Sequence, residues 1–236
     1  MARIVAANCI RAASVHTTPA NCAAGTRPFP DSTGFVNKVR EVADQQPAKG
    51  LASPNAGPLG VVLEVLSTRS FACAIQFPGW FGYGRTPEAA IERLLAYRAR
   101  YAPIARSAKR TLPENSTLVI LEQLQGNGTT QFGAPGQIAQ VERTATATDL
   151  RRLRALHAAC RDFYEDVLTG APATLRKGPR GGGRDTDRVA KHVAETERTY
   201  ATRLRTGTWP EAYYLRRSAY HFTDHAWEIE DRSEPT

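Results

Sequence analysis

Residues 61–95 read VVLEVLSTRSFACAIQFPGWFGYGRTPEAAIERLL. The hydrophobic pattern changes period inside this stretch, and that change sets the fold class. Residues 61–66 and 71–77 are apolar runs rich in β-branched and aromatic side chains, separated by the polar residues 67–70. Together they predict a β-hairpin. Residues 78–84, PGWFGYG, predict a turn. A helix then starts: Thr86 caps it, Pro87 suits the first helical position, and Glu88 favours the positive end of the helix dipole. Ala90, Ile91, Leu94, Leu95 and Tyr101 keep helical spacing, and residues 117–124 read as a further strand. The order ββ–α–β predicts an α+β fold, with a small domain over residues 59–125 in which a helix packs on an antiparallel sheet. Trp80, Phe81 and Tyr83 form an aromatic cluster that serves either as an interface or as packing over the sheet end.

Outward from this stretch the chain changes character. Residues 126–148 form a Gly/Thr-rich linker. Leu150, Leu153, Leu156, His157, Cys160, Phe163, Tyr164 and Val167 then follow helical spacing, until Gly170–Pro172 stops the pattern. A Gly-rich basic loop follows, RKGPRGGGRD at residues 176–185. Asp185 or Thr186 caps a second helix, with Val189, His192, Val193, Thr196, Tyr200 and Leu204 on one face. Pro210 starts a third, with Leu215, Ala219, Phe222, Ala226 and Ile229 on one face. Residues 149–232 thus predict an abbreviated antiparallel helical bundle. Residues 1–58, rich in Ala, Thr, Pro and Asn, read as a disordered or loosely packed leader.

Composition sets outer limits. Of the 236 residues 42% are apolar, enough for a core, and no apolar run approaches the about 18 residues of a membrane span. The first residues make a poor signal peptide, so a cytoplasmic location is expected. The four cysteines lie far apart with no CxxC pair, which gives a disulfide scaffold or a cysteine-type zinc site no support. The net charge of +8 raises the question of nucleic acid. Its excess is spread along the chain, with one local peak over residues 176–188 and an acidic C-terminal end. That distribution argues against nucleic acid as a partner.

Three of the five histidines fall in the last two helices. His221 and His225 are spaced one helical turn apart and share a face. His192 lies on the inward stripe of the preceding helix. If the two helices pack antiparallel, three imidazoles converge. Three neutral nitrogen donors with an open position make a catalytic metal site, suited to a divalent Zn, Ni or Fe ion. The competing reading is of core histidines satisfied by neighbours. Glu195, Asp224 and Glu228 lie close enough in sequence to orient the rings, or else are solvated helix charges. Arg176, Lys177, Arg180 and Arg184 offer forked or ammonium donors in a loop whose glycines let backbone N–H groups approach an anion. That loop is not a Walker loop, since no GK[ST] follows, and it joins helix to helix, unlike a dinucleotide fingerprint. Arg216, Arg217 and Arg232 are further cationic candidates, with surface positions as the simpler reading.

The words AKHVAETERTY and RRSAYHFTDHAWEIEDR resemble the DinB-like (DinB/YfiT) superfamily of metal-binding helical bundles, over residues 149–232. The resemblance implies metal ligands at His192, His221 and His225. It also implies chemistry: some members transfer groups to low-molecular-weight thiols, and with the basic loop beside the site a small acidic or thiol substrate is the expected partner. The sequence departs from the family in one respect. Family bundles place a helix between the two histidine-bearing ones, and residues 205–209 cannot hold one. The bundle therefore lacks a wall, which the 86–101 helix, the leader or a second copy of the chain, as a homo-oligomer, would have to cover. Gly84, Thr86, Glu88 and Ala89 are similar to the G-x-T-x-E-E/A-A turn of HicB-like domains. That likeness implies a second function, a non-enzymatic, antitoxin-like interaction protein.

Overall fold

The computed structural model describes residues 58–113, 118–178 and 183–233. The leader at residues 1–57 and the candidate Arg180 lie outside the described residues. Four strands form one sheet: β1 (Leu59–Val65), β2 (Ser70–Ala74), β3 (Phe81–Gly84) and β4 (Leu118–Gln125), in the order β3-β2-β1-β4. β1 pairs antiparallel with β2, β2 antiparallel with β3, and β1 parallel with β4. The register of β1 on β4 slips between Val61 and Val62, so that Leu121 is the extra residue of a bulge.

Period-2 alternation gives the sheet two unlike faces. Ala72 of β2 opposes Gly82 of β3, and Ser70 opposes Gly84, so on these two strands one face carries small side chains. Helix α1 (Pro87–Ala96) lies on it. A Cβ built on Gly82 would stand 2.3 Å from both Ala90 O and Leu94 N, so glycine is what lets the helix backbone approach β3 this closely. Trp80, at the end of the preceding turn, donates its indole N–H to Leu94 O at 2.6 Å, satisfying a carbonyl in the last turn of α1.

Three expectations change here. The sheet, expected to be antiparallel, is mixed, because β4 joins it parallel to β1 after the helices that separate the two strands in sequence. Residues 78–84, read as a turn, contain the third strand: only the segment before Phe81 turns, and Phe81–Gly84 pairs with β2. Glycine and aromatic content marked a turn, whereas Gly82 and Gly84 are small because a helix presses on them. The helix expected over 86–101 continues further as α2 (Arg98–Ser107), after a break at Tyr97. Thr86 does cap α1, accepting from Ala89 N at 3.2 Å.

Two short helices, α3 (Gly128–Gln131) and α4 (Gln140–Arg143), occupy the expected linker. Three long helices follow: α5 (Ala147–Gly170), α6 (Thr186–Arg205) and α7 (Glu211–Ser233). Thr146 and Asp149 close a reciprocal capping box at the start of α5.

Helix α7 runs across the second face of the sheet, which carries the large side chains. Phe81 packs edge-on against Tyr220 at 4.6 Å between ring centroids and lies 5.2 Å from Trp227, and Phe71 meets Tyr220 at 5.5 Å. One continuous core joins Val62, Phe71 and Phe81 to Cys160, Val193, Phe222 and Ile229. The sheet and the three long helices therefore share one core. Trp80 and Phe81 are each 1% exposed, so these two rings are packing and not an interface, while Tyr83 is only partly buried.

Polar contacts reinforce the join. The tight turn at Pro78–Gly79 offers its carbonyls to three helices, α2, α5 and α7: Tyr101 donates to Pro78 O at 2.7 Å, Cys160 donates to the same oxygen, and Thr223 donates to Gly79 O at 3.0 Å. Arg216 of α7 is buried rather than at the surface. It makes a two-pronged pair with Glu142 (2.5 and 2.9 Å) and lies 3.7 Å from Glu64 of β1. Glu64 in turn accepts from Thr130 Oγ1 and from the N–H groups of Gly136 and Gln137. Cys73 and Cys160 are buried free thiols. No helix among the described residues is long and apolar enough to cross a membrane.

Candidate metal centre

His192 sits in the second turn of α6, and His221 and His225 sit one turn apart about the middle of α7. Residues 206–210 join these helices, so they run antiparallel and bring the three positions to one level. The imidazoles converge: each offers one ring nitrogen, and the three nitrogens lie within 4.8 Å of one another. His192 Nε2 and His221 Nε2 are 3.4 Å apart. The rings stand nearly perpendicular in pairs, with centroids 4.8–5.3 Å apart.

Carboxylates orient two of the rings. Glu197 Oε1 accepts from His221 Nδ1 at 2.9 Å, and Glu228 Oε2 accepts from His225 Nδ1 at 2.9 Å. An Nδ1–H bonded to a carboxylate leaves Nε2 as a lone-pair donor, which is the tautomer a metal ligand needs. Glu197 belongs to a longer chain: its Oε2 accepts from Ser218 Oγ, and Ser218 Oγ lies 2.8 Å from His157 Nε2. Glu228 belongs to another: its Oε1 accepts from Arg232 Nη1 at 2.8 Å.

The electrostatics favour the neutral form of His192 and His221. Burial, then the neighbouring His225 and the cationic Arg217, push His221 down to about 2. Burial and His225 also lower His192. Glu228 is lowered, chiefly by its hydrogen bond from His225. Burial raises Glu197 and Asp224. His192 and His221, both lowered, face each other through Nε2 with the His225 ring beside them, an arrangement that suits one cation among the three nitrogens. The residues present thus fit a divalent metal.

Beside this cluster lies a cavity of about 940 Å³. Asp224 and Glu228 line it on the histidine side, and aromatic rings such as Tyr83, Tyr97 and Trp227 form other walls. Arg176 and Lys177 also line it. Arg184 enters through its backbone: its carbonyl, like that of Arg176, accepts from the Arg232 guanidinium (2.8 and 2.6 Å). Arg232 therefore ties both ends of the basic loop to α7 and to Glu228, and is buried. Its reading as a surface residue is corrected, as is that of Arg216. Arg217 stacks on the Tyr200 and Tyr220 rings at 5.2 and 5.5 Å.

Among the expected orienting acids, Glu228 contacts a histidine. Glu195 is exposed and lies 4.0 Å from Lys191, while Asp224 faces the cavity. Glu197 was not singled out in the sequence. A signal for it existed: it stands four residues after Val193 and three before Tyr200, both on the buried stripe of α6. Neither Ser218 nor the role of His157 was legible, because both depend on how three helices meet.

No family model matches the chain, and no curated protein or solved structure matches it either.

Proposed function

We propose that the protein is a metal-dependent enzyme that uses a three-histidine centre at His192, His221 and His225 to act on a small thiol, transferring a group to it from an acidic substrate held in the adjacent cavity. The carrying observation is the convergence of three ring nitrogens within 4.8 Å, two of the rings being held through Nδ1 by Glu197 and Glu228. A divalent cation held there would supply Lewis acidity and lower the pKa of a thiol at its open position. The chain's own residues do the rest. Glu197 and Glu228 fix the rings and keep Nε2 available. Arg176 and Lys177 bring positive charge to the cavity for an acidic group. Asp224, its carboxyl pushed up by burial, is a wall group able to take the proton a thiol gives up. The resemblance of residues 149–232 to DinB-like proteins supports the same reading.

The test is elemental analysis after loading with Zn²⁺, Ni²⁺ or Fe²⁺, followed by assay of thiol consumption with chromogenic electrophiles. One equivalent of metal per chain, and thiol transfer that chelation abolishes, are expected. Failure to retain metal would remove the proposal. Metal retention without thiol turnover would leave a metal site and exclude the transferase chemistry.

A further inference from the structure

We infer that His157 and Ser218 are positioning residues for this metal centre, acting through Glu197 to fix the tautomer and orientation of His221; the inference rests on the metal-centre reading above. Three helices contribute to the chain of contacts. His157 comes from α5, Glu197 from α6, and Ser218 and His221 from adjacent turns of α7. The distances are 2.8 Å from His157 Nε2 to Ser218 Oγ, 2.5 Å from Ser218 Oγ to Glu197 Oε2, and 2.9 Å from Glu197 Oε1 to His221 Nδ1.

The direction of each bond follows from what each group can do. A carboxylate only accepts, so Ser218 must give its hydroxyl proton to Glu197, and His221 must give its Nδ1–H to the other oxygen. The Ser218 oxygen, its proton committed, then accepts from His157, which must carry its proton on Nε2. Both oxygens of Glu197 are thereby occupied and its plane is fixed. His221 Nε2 is left without a proton, facing His192 Nε2 at 3.4 Å. The far end is anchored by packing: the His157 ring lies between Tyr214 and Phe222, with centroids 5.7 and 5.8 Å away. His157 is the one described histidine that the metal centre does not itself use. Such outer partners of a metal-bound histidine raise its basicity and restrict its rotation.

The experiment measures Zn²⁺ affinity by competition with a chromophoric chelator, and the visible spectrum of the Co²⁺-loaded full chain. Ser218→Ala and His157→Phe should weaken Zn²⁺ binding by about 10- to 100-fold and shift the Co²⁺ bands. Ser218→Thr and His157→Gln, which keep a donor, should restore most of the affinity and the wild-type spectrum. Wild-type affinity and an unshifted spectrum in both disruptive variants, with the wild type binding metal, would overturn this inference alone. A wild type that binds no metal would overturn the metal-centre reading with it. A measurement on the unaltered, metal-free chain stands independently of variant folding. Its ¹⁵N spectrum should show His157 as the Nε2–H tautomer and His221 as the Nδ1–H tautomer, and the reverse assignment of either ring overturns the inference.

Discussion

His192 Nε2 stands 3.4 Å from His221 Nε2, on two helices whose only direct link in sequence is the turn at residues 206–210. Two ligands of a tetrahedral Zn²⁺, each bonded at about 2.0–2.1 Å, are about 3.3–3.4 Å apart. The pair is therefore already at ligand spacing. The helices are held there by contacts remote from the rings: Arg232 clamps the basic loop to α7, and α7 is seated on the sheet through Tyr220 and Trp227.

Removal of a ligand should cost more than removal of its orienting acid. His192→Ala and His221→Ala are each expected to lower Zn²⁺ affinity by more than the about 10- to 100-fold typical of losing an outer partner. Glu228→Ala should fall within that range, since it frees His225 Nδ1 without deleting a donor. Chelator competition on the three variants measures the order.

Metal should also stabilise the fold, because the site spans α6 and α7 and does not persist in the unfolded chain. At a free concentration of about 100 times Kd, the gain is about 2.7 kcal/mol. Thermal unfolding with and without added Zn²⁺ should show a higher Tm with metal, reversed by EDTA. An unchanged Tm under saturating metal would contradict a site that joins these helices.

The metal-free protein should lose stability as pH falls below about 6.5, the ordinary pKa of histidine. His221, His192 and His157 all have pKa values lowered by the fold, His221 to about 2. Below the unfolded-state value the unfolded chain takes up protons that the native chain refuses, so unfolding is favoured as pH drops. The stability is complete above that value and is lost progressively towards the folded pKa values. Glu197, raised by burial, acts in the opposite sense. Urea midpoints of EDTA-treated protein at about pH 7.5 and pH 5.5 test this; equal midpoints would refute it.

Arg216→Ala should destabilise the protein by about 3–5 kcal/mol, the range for breaking a buried ion pair on one side. The substitution strands Glu142 and leaves Glu64 without its cation, both in the interior. Arg216→Lys should recover only part of the loss, because an ammonium cannot reproduce the two-pronged contact of Nε and Nη2 with Glu142. Chemical denaturation of the metal-free variants separates this from any effect at the histidines.

Gly82→Ala should cost about 1–3 kcal/mol, the range for forcing extra atoms into a packed interior. The added methyl would press on Ala90 O and Leu94 N, which are helix backbone and move only with α1 as a whole. A variant as stable as the parent would mean that α1 is free to shift on the sheet.

Local pattern made much of this legible in advance. Helical spacing with cap signals located α5, α6 and α7 and the start of α1, because those cues act within a few residues. The His221–His225 pair needed only helical geometry. The third strand was not legible: Gly82 and Gly84 look like turn residues until a helix is seen lying on them. Nor was the burial of Arg216 and Arg232, since nothing local distinguishes an arginine facing two buried carboxylates or a set of loop carbonyls from one facing water.

By itself the sequence determined the long helices, the strands β1, β2 and β4, the α+β class and which helices carry the three histidines, since each follows from periods and caps along a short run of chain. The tertiary structure alone decided that the sheet and the three long helices share one core and that His192 meets the pair on α7. It alone decided that Glu197, Ser218 and His157 stand in line behind His221. Those are contacts between residues far apart in the chain. Their geometry depends on how whole faces pack, and no local period records that.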